Sequence, residues 1–326
     1  MGYNKQNYKQ IREEFATKAF AAREAADARR SQLYLSVPAV KEIDRKLSEF
    51  GFRIMRAAVN PADENESIAS LRAENAALLE ERGALLRANG YPEDYTALRY
   101  ECEKCKDTGY CGIKMCECMR RALIEAGMES SGLSALMKKQ SFDNFSLEYY
   151  RKSPEEYRTM SETYRNLRHY AEHFSIKEGE AAPSNLLLLG NTGLGKTHLS
   201  TAIARKVIER GYDVYYNSAV GMISDFEYRR FGNGIAAEMT DDTARYVDCD
   251  LLIIDDLGTE FQSSFTVSCL YNLINTRHNR GLATIISTNL SPDELVKKYE
   301  DRIYSRLVGH GTHVLLFRGK DRRIFG

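Results

Sequence analysis

Eight residues, Gly190-Asn191-Thr192-Gly193-Leu194-Gly195-Lys196-Thr197, carry the clearest chemistry in the chain. They fit the pattern Gly, any four residues, Gly, Lys, then Ser or Thr, and they follow an apolar run, Leu186 to Leu189, that reads as a strand. Glycines at these places let backbone N–H groups wrap phosphates, and a helix opening at Lys196 turns its positive end toward the same anion. Lys196 is expected to neutralise the β- and γ-phosphates of ATP, and the Thr197 hydroxyl to ligate Mg²⁺. Further along, Asp250-Leu251-Leu252-Ile253-Ile254-Asp255-Asp256 is an apolar strand ending in two carboxylates, the Walker B pattern. Asp255 is expected to hold Mg²⁺, usually through water, and Asp256 to orient or deprotonate the attacking water. Asp256 is one methylene shorter than Glu, which leaves the water less well placed and predicts slow intrinsic hydrolysis.

Two further positions complete this reading. The strand Thr284 to Thr288 ends at Asn289. A polar residue at the tip of a strand lying between the other two reaches the γ-phosphate and the lytic water, the sensor 1 arrangement. The plainer reading is a turn-forming Asn ahead of Leu290-Ser291-Pro292. Arg302 and Arg306 stand four apart on an expected helix and share a face. One of them, with Arg306 favoured, suits an arginine finger supplied to a neighbouring subunit's nucleotide. Surface ion pairs are the alternative, and the choice between the two arginines stays open.

Five of the seven cysteines, Cys102, Cys105, Cys111, Cys116 and Cys118, fall in one short stretch. Cys102-x2-Cys105 and Cys116-x-Cys118 supply four soft thiolates in two close pairs, suited to tetrahedral zinc. No histidine lies in this region, so an all-cysteine site is expected, with Cys111 the surplus thiol and Gly109 and Gly112 making the turns. With five thiols for four places, the third ligand stays open. An Fe–S cluster is the chemical rival. A closed four-ligand site leaves no place for water, so its role is structural. Cys249 and Cys269, alone in apolar contexts, read as core.

These residues need a scaffold. From about Ser184, apolar runs at Asn185 to Leu189, Asp213 to Tyr216, Leu251 to Asp255, Thr284 to Thr288 and His313 to Phe317 alternate with helices such as Lys196 to Arg210 and Ser264 to Arg280. That is how a parallel sheet with crossover helices reads. A further helix from Arg151 to Phe174 belongs with this half. The first hundred residues are helical: Ile11 to Arg30, a second helix from Pro38 through Val40, Ile43, Leu47, Phe50 and Ile54, and a third through Ile68, Leu71, Leu78 and Leu85. Asn75 and Arg82 are polar seam positions in the third, which Asn89-Gly90 and Pro92 stop. Its seam suits either a coiled coil with a partner or an internal bundle. The expected division is a helical partner-binding region at 1–98, the zinc module at 99–120, a linker at 121–150 and the ATPase domain at 151–326.

The 46 Lys and Arg balance 46 Asp and Glu, which excludes a globally basic nucleic-acid coat or a polybasic membrane binder while leaving room for local basic sites. No apolar run approaches the length of a membrane span, and the first residues are polar where a signal peptide is apolar, so a soluble, cytoplasmic protein is expected.

Taken together, the two nucleotide motifs, Leu257-Gly258-Thr259-Glu260, Ser287-Thr288-Asn289 and Ser305-Arg306-Leu307 resemble the AAA+ ATPases of the bacterial helicase-loader group, DnaC and DnaI, and their transposition relative IstB. The resemblance covers about Phe142 to Gly326, with Ser141-Phe142-Asp143-Asn144-Phe145 similar to the lead-in segment of the group. It implies a P-loop AAA+ domain, a parallel sheet flanked by helices, without the C-terminal helical lid and so without a sensor 2 arginine. It also implies that Asn217 to Thr240 corresponds to the helical insertion that touches single-stranded DNA. There, Arg229 and Arg230 between Tyr228 and Phe231, followed by Gly232-Asn233-Gly234, suit phosphate contact and base stacking. Ordinary core aromatics at an exposed helix end are the other reading. Cys-rich modules precede the ATPase domain in DnaI-like loaders, where the N-terminal part engages the helicase.

The expected function is therefore an ATP-dependent loader or accessory factor of a replicative DNA helicase, with ATP, Mg²⁺ and Zn²⁺ as cofactors and self-association through ATPase domains. A transposition helper of the IstB type and a nucleotide-binding adaptor with little hydrolysis are the alternatives. A P-loop kinase needs a lid and an acceptor site for which the sequence shows no residues.

Overall fold

The computed structural model describes residues 3–59, 68–176, 183–231, 243–309 and 311–319. The chain forms two compact units, Arg12–Met119 and a larger one of Met1–Ile11 with Arg120–Gly326. Among the described residues, no helix is long and apolar enough to cross a membrane.

The smaller unit contains the helix Lys5–Ser36 from Arg12 onward, then Pro38–Val59 and Ile68–Ala88. The first helix runs beyond its expected end because nothing breaks it before Val37, which the following proline disfavours in a helix. Ile43 and Phe50 of the second helix pack with Leu71 and Leu78 of the third, and Leu47 and Leu85 join them. The seam is thus filled from within the chain, which answers the choice between bundle and partner coiled coil for these residues. Its polar position has a counterpart: the Arg82 guanidinium donates to Asp44 at 2.6 Å and to Thr96 Oγ1 at 2.9 Å, and the Tyr34 hydroxyl donates to the same aspartate. Beyond the helices, Tyr110–Cys111 (β1) and Lys114–Met115 (β2) form a short antiparallel hairpin.

The larger unit is built on five parallel strands, Asn185–Leu189 (β3), Val214–Ser218 (β4), Leu251–Leu257 (β5), Ala283–Thr288 (β6) and Thr312–Leu316 (β7), in the order β4-β5-β6-β3-β7. Side chains alternate between two covered faces, the signature of a buried parallel sheet. Leu186, Leu188, Leu251, Ile253 and Ile285 meet the helices Pro154–His173 and Lys196–Glu209. Leu187, Leu189, Leu252, Ile254 and Ile286 meet Ala219–Phe231, Thr243–Asp248, Ser264–Asn279 and Pro292–Leu307. β4 and β5 run on past their apolar stretches because the ladder needs only backbone, and Ser218 pairs with Asp255.

Residues 121–150, expected as a linker, instead pack into the first face. Leu133, Met137, Phe142, Phe145 and Tyr150 are core residues there. Short helices and turns separate these apolar side chains, so no single period marks them in the sequence. Cys249 is fully buried, as expected, and Cys269 is half-buried.

Arg277 is the largest fully buried side chain among the described residues. It donates to Thr284 Oγ1 at 3.0 Å and to the carbonyls of Tyr246 at 3.0 Å, Cys249 at 2.9 Å and Ala283 at 2.6 Å. One guanidinium thereby ties the helix Ser264–Asn279 to the approaches of β5 and β6. Arg277→Leu leaves these acceptors buried without donors, and is expected to lower unfolding free energy by about 3 kcal/mol or more in urea titration.

Candidate functional site

The P-loop follows β3 directly. Gly195 caps the helix Lys196–Glu209 in a left-handed conformation, φ +83°. Gly190 has φ +150°, and a Cβ on it would collide with the Phe317 carbonyl oxygen. On the other side, the buried Tyr150 hydroxyl donates to the Leu194 carbonyl at 2.9 Å. The loop is therefore held between the exit of β7 and the segment that precedes the helix Pro154–His173. Gly190→Ala should weaken ATP binding at least about tenfold in a fluorescent-nucleotide titration, since the contacted atom is backbone and cannot rotate away. An unchanged affinity would show that this approach does not set the loop.

Within the loop, Lys196 is 5% exposed and its Nζ donates to the carbonyls of Gly190 at 2.5 Å and Asn191 at 2.8 Å and to Asn289 Oδ1 at 2.7 Å. The Thr197 hydroxyl donates to Asp255 Oδ2 at 2.9 Å. The same carboxylate oxygen accepts from the Tyr216 hydroxyl at 2.9 Å, and the other oxygen accepts from the Ser287 hydroxyl. Burial, and then the Asp255 charge, push the Tyr216 phenol above its ordinary range, so it stays protonated as a donor. The Thr197 hydroxyl and the Asp255 carboxylate place two hard oxygens side by side, the donor type that suits magnesium.

Asp256 takes a left-handed backbone, φ +53°. Its N–H donates to Ser287 Oγ at 3.0 Å, and its carbonyl accepts from the Thr259 hydroxyl at 2.8 Å. Asp256, Asn289, Gln140 and His198 line a cleft of about 400 Å³ with Thr192, Gly193, Leu194, Gly195, Lys196 and Thr197. His198 Nε2 lies 2.9 Å from the Ser141 carbonyl, so the lead-in segment reaches the P-loop helix. In the sheet, β6 lies between β5 and β3, which puts Asn289 at the strand end between the two Walker motifs. The carboxyl ends of parallel strands are where such sheets bind ligands.

The structure thus brings Lys196, Thr197, Asp255, Asp256 and Asn289 together. Tyr216 and Tyr150, which hold Asp255 and the loop, are additions that the motifs did not indicate, and Ser287, named only as part of Ser287-Thr288-Asn289, also holds Asp255. Arg306 is not among the residues lining this cleft. Its guanidinium donates to Asn275 Oδ1 at 3.1 Å, the Tyr271 hydroxyl at 2.9 Å and the Arg302 carbonyl at 3.2 Å. The guanidinium carbons of Arg302 and Arg306 lie 4.3 and 4.5 Å from the Tyr271 ring centre. Arg229 donates to Thr243 Oγ1, and Arg230 lies 5.4 Å from the Phe231 ring centre and 5.1 Å from that of Phe265. Tyr228 and Phe231 are exposed. Gly232-Asn233-Gly234 lies outside the described residues.

Residues 156–324 match the family model of the IstB-like ATP binding protein. The chain belongs to this family. The parallel sheet and P-loop of this IstB-like protein are of the AAA+ type. The chromosomal replication initiator protein DnaA of Campylobacter fetus subsp. fetus is 32% identical over 121 residues, covering 37% of this chain and 27% of that relative. The chain spans just over a quarter of the length of the first DnaA relatives it matches. The crystal structure of the DnaC helicase loader aligns with a TM-score of 0.43 at 20% identity, covering 49% of this chain and 90% of that one. For DnaI the TM-score is 0.46 at 17% identity, covering 58% and 93%.

The IstB-like match begins after the cysteine cluster, which forms a second candidate site. The sulfurs of Cys102, Cys105, Cys116 and Cys118 all lie within 4.8 Å of one another. Cys102 and Cys116 are 3.8 Å apart, and Cys105 and Cys118 are 3.5 Å apart. A zinc tetrahedron with bonds of about 2.3 Å has sulfur–sulfur edges of about 3.8 Å, so the four thiols could hold zinc with little movement. Cys111 is exposed, outside this group, and its thiol donates to the Lys104 carbonyl at 3.4 Å. Around the first pair, the buried Asp107 carboxylate accepts the N–H groups of Glu101 at 2.9 Å and Cys102 at 2.8 Å. Donation from the Cys118 backbone N–H and thiol lowers the Cys116 thiol to about 7, while burial pushes the Cys105 and Cys118 thiols up.

Proposed function

We propose that this IstB-like protein is an ATP-dependent loader or accessory factor of a replicative DNA helicase. One observation carries the ATPase part: the P-loop lysine and a strand-end asparagine meet at 2.7 Å in a cleft that Asp256 also lines. When ATP enters, Lys196 exchanges its loop carbonyls for β- and γ-phosphate oxygens. Thr197 and Asp255 would hold magnesium, which would supply charge neutralisation at the phosphates. Asn289 orients the attacking water, and Asp256 accepts its proton as the oxygen bonds the γ-phosphorus and the bond to ADP breaks. Arg306, with Arg302 beside it, serves the nucleotide of a neighbouring copy.

The loader part rests on the motif resemblance to DnaC and DnaI, the IstB-like family, and the likeness to relatives named chromosomal replication initiator. In this reading the helical unit and a zinc-filled thiolate module hold the helicase. ATP-bound units associate, engage single-stranded DNA near Arg229 and Arg230, and release on hydrolysis. Affinity capture of the full chain with and without ATP tests it. Co-purification of a hexameric helicase is the expected result, and recovery of a transposase in its place would overturn the loader reading in favour of transposition.

A further inference from the structure

The loop that leaves the Walker B strand is wired to the helix that carries the two arginines, through groups the nucleotide site does not itself use. Glu260 is 3% exposed, with its side chain wholly buried, and Tyr299 is 1% exposed. One carboxylate oxygen of Glu260 accepts the Gly258 N–H at 2.9 Å, and the other accepts the Tyr299 hydroxyl. Lys298 Nζ donates to the Gly258 carbonyl at 2.6 Å and the Glu260 carbonyl at 3.1 Å, and stands 3.6 Å from the carboxylate. Gly258 itself has φ +112°, and a Cβ there would meet Leu290 at 2.7 Å, beside the sensor residue Asn289. Thr259 closes the chain backward, with its hydroxyl and N–H both on the Asp256 carbonyl, at 2.8 and 3.3 Å.

Past this clamp the helix changes direction. Pro292–Leu307 is broken at Glu300, φ +64° and ψ 161°, immediately after the gripped Lys298 and Tyr299. Its first half is fixed separately by the Ser291/Glu294 capping box. Arg302 and Arg306 lie beyond the break, where Ile303 and Leu307 pack into the core and Tyr271 receives both guanidiniums. The clamp therefore holds the last turn before the break, and so the direction in which the arginine-bearing segment leaves.

We propose that Glu260, acting through Tyr299 and Lys298, is a positioning residue that sets the arginine-bearing segment by the state of the Asp256 loop. This rests on the reading above that the arginines act on a neighbouring copy. A nucleotide that moves Asp256 in its own cleft then shifts, through Thr259 and Glu260, the arginines offered to the next cleft, so that one subunit's occupancy controls its neighbour's hydrolysis.

Mixing variants of the full chain tests this and separates it from its premise. Tyr299→Phe removes one hydroxyl. Alone it should bind ATP within twofold of wild type and hydrolyse it at least about tenfold more slowly, because no subunit presents its arginines correctly. Mixed 1:1 with Asp256→Asn, which has an intact clamp and arginines, about a quarter of head-to-tail interfaces pair a working cleft with working arginines, and hydrolysis should recover to about that fraction. Mixing with the Arg302→Ala/Arg306→Ala chain should recover nothing. The reference mixture is Asp256→Asn with Arg302→Ala/Arg306→Ala. If that reference fails to recover, the trans-acting arginines are wrong and the clamp's role falls with them. If it recovers and Tyr299→Phe with Asp256→Asn does not, the clamp serves its own cleft or the fold alone, and the proposal is overturned. Should Tyr299→Phe not fold, Glu260→Gln, which keeps the shape and one acceptor, carries the same mixtures with the same decisive outcomes.

Discussion

Asp256→Asn is expected to bind ATP as tightly as the native chain while hydrolysing it about 10²–10⁴-fold more slowly, the span over which a general base contributes. The substitution isolates the carboxylate's charge. Asn is among the few residues that tolerate the left-handed backbone found here, φ +53°, so the loop need not move. The N–H to Ser287 and the carbonyl to Thr259 are backbone groups and survive the exchange. Lys196, Thr197 and Asp255, which account for binding, keep their partners. Single-turnover phosphate release, with affinity measured separately by nucleotide titration, resolves the two effects. Native turnover no faster than the variant's would identify a nucleotide-binding adaptor and remove the ATPase mechanism.

Metal removal is expected to have a comparably large effect on the other unit. Structural zinc in zinc-finger peptides contributes apparent binding free energies of about 10–16 kcal/mol near neutral pH, and much of this becomes folding free energy. Beside the sulfurs, which stand in a space a metal fits, the knuckle is held by strands of two residues each, by turn hydrogen bonds and by the two N–H groups on Asp107. As isolated, the chain should contain one zinc. After chelation, or in Cys105→Ser, amide exchange across 99–119 should accelerate to the rate of an open chain. ATP affinity should stay within twofold, because none of the cleft residues lies in that unit. Cys111→Ser, in contrast, should keep its zinc, since that thiol lies outside the cluster. A brown protein with iron in place of zinc would assign the thiolates to a cluster of another kind.

The parts of the site written contiguously were the legible ones. The P-loop announces itself because one backbone segment must do the wrapping, so its residues are adjacent in the chain. Asp255 and Asn289 were legible for a related reason, each marking where an apolar strand reaches polar ground. The contacts of Tyr216 and Ser287 with Asp255 were not. Their hydroxyls meet Asp255 only because β4 and β6 flank β5 in a particular register, and register between parallel strands is set by packing of both faces. The irregularity in the β5–β6 register between Ile254 and Leu257, just where Asp255 and Asp256 stand, could not be read from either strand. Residues 121–150 read as a linker because Phe142, Phe145 and Tyr150 sit in turns, where burial leaves no periodic trace. Arg82 looked like a flaw in an apolar seam until Asp44, from the preceding helix, supplied its partner.

The place of β6 in the sheet also bears on how such a chain can change over generations. With β6 bonded to β3 on one side and β5 on the other, the spacing between the loop bearing Lys196 and the tip bearing Asp255 is one full strand of fixed width. A single residue inserted or deleted ahead of Ile285 in this strand would turn Ile285 and Ile286 to each other's faces and take Asn289 out of reach of Lys196. Side chains along that strand can drift while its length cannot, so length variation among descendants of this chain should gather in the connections that lead into β6 and should spare the strand itself.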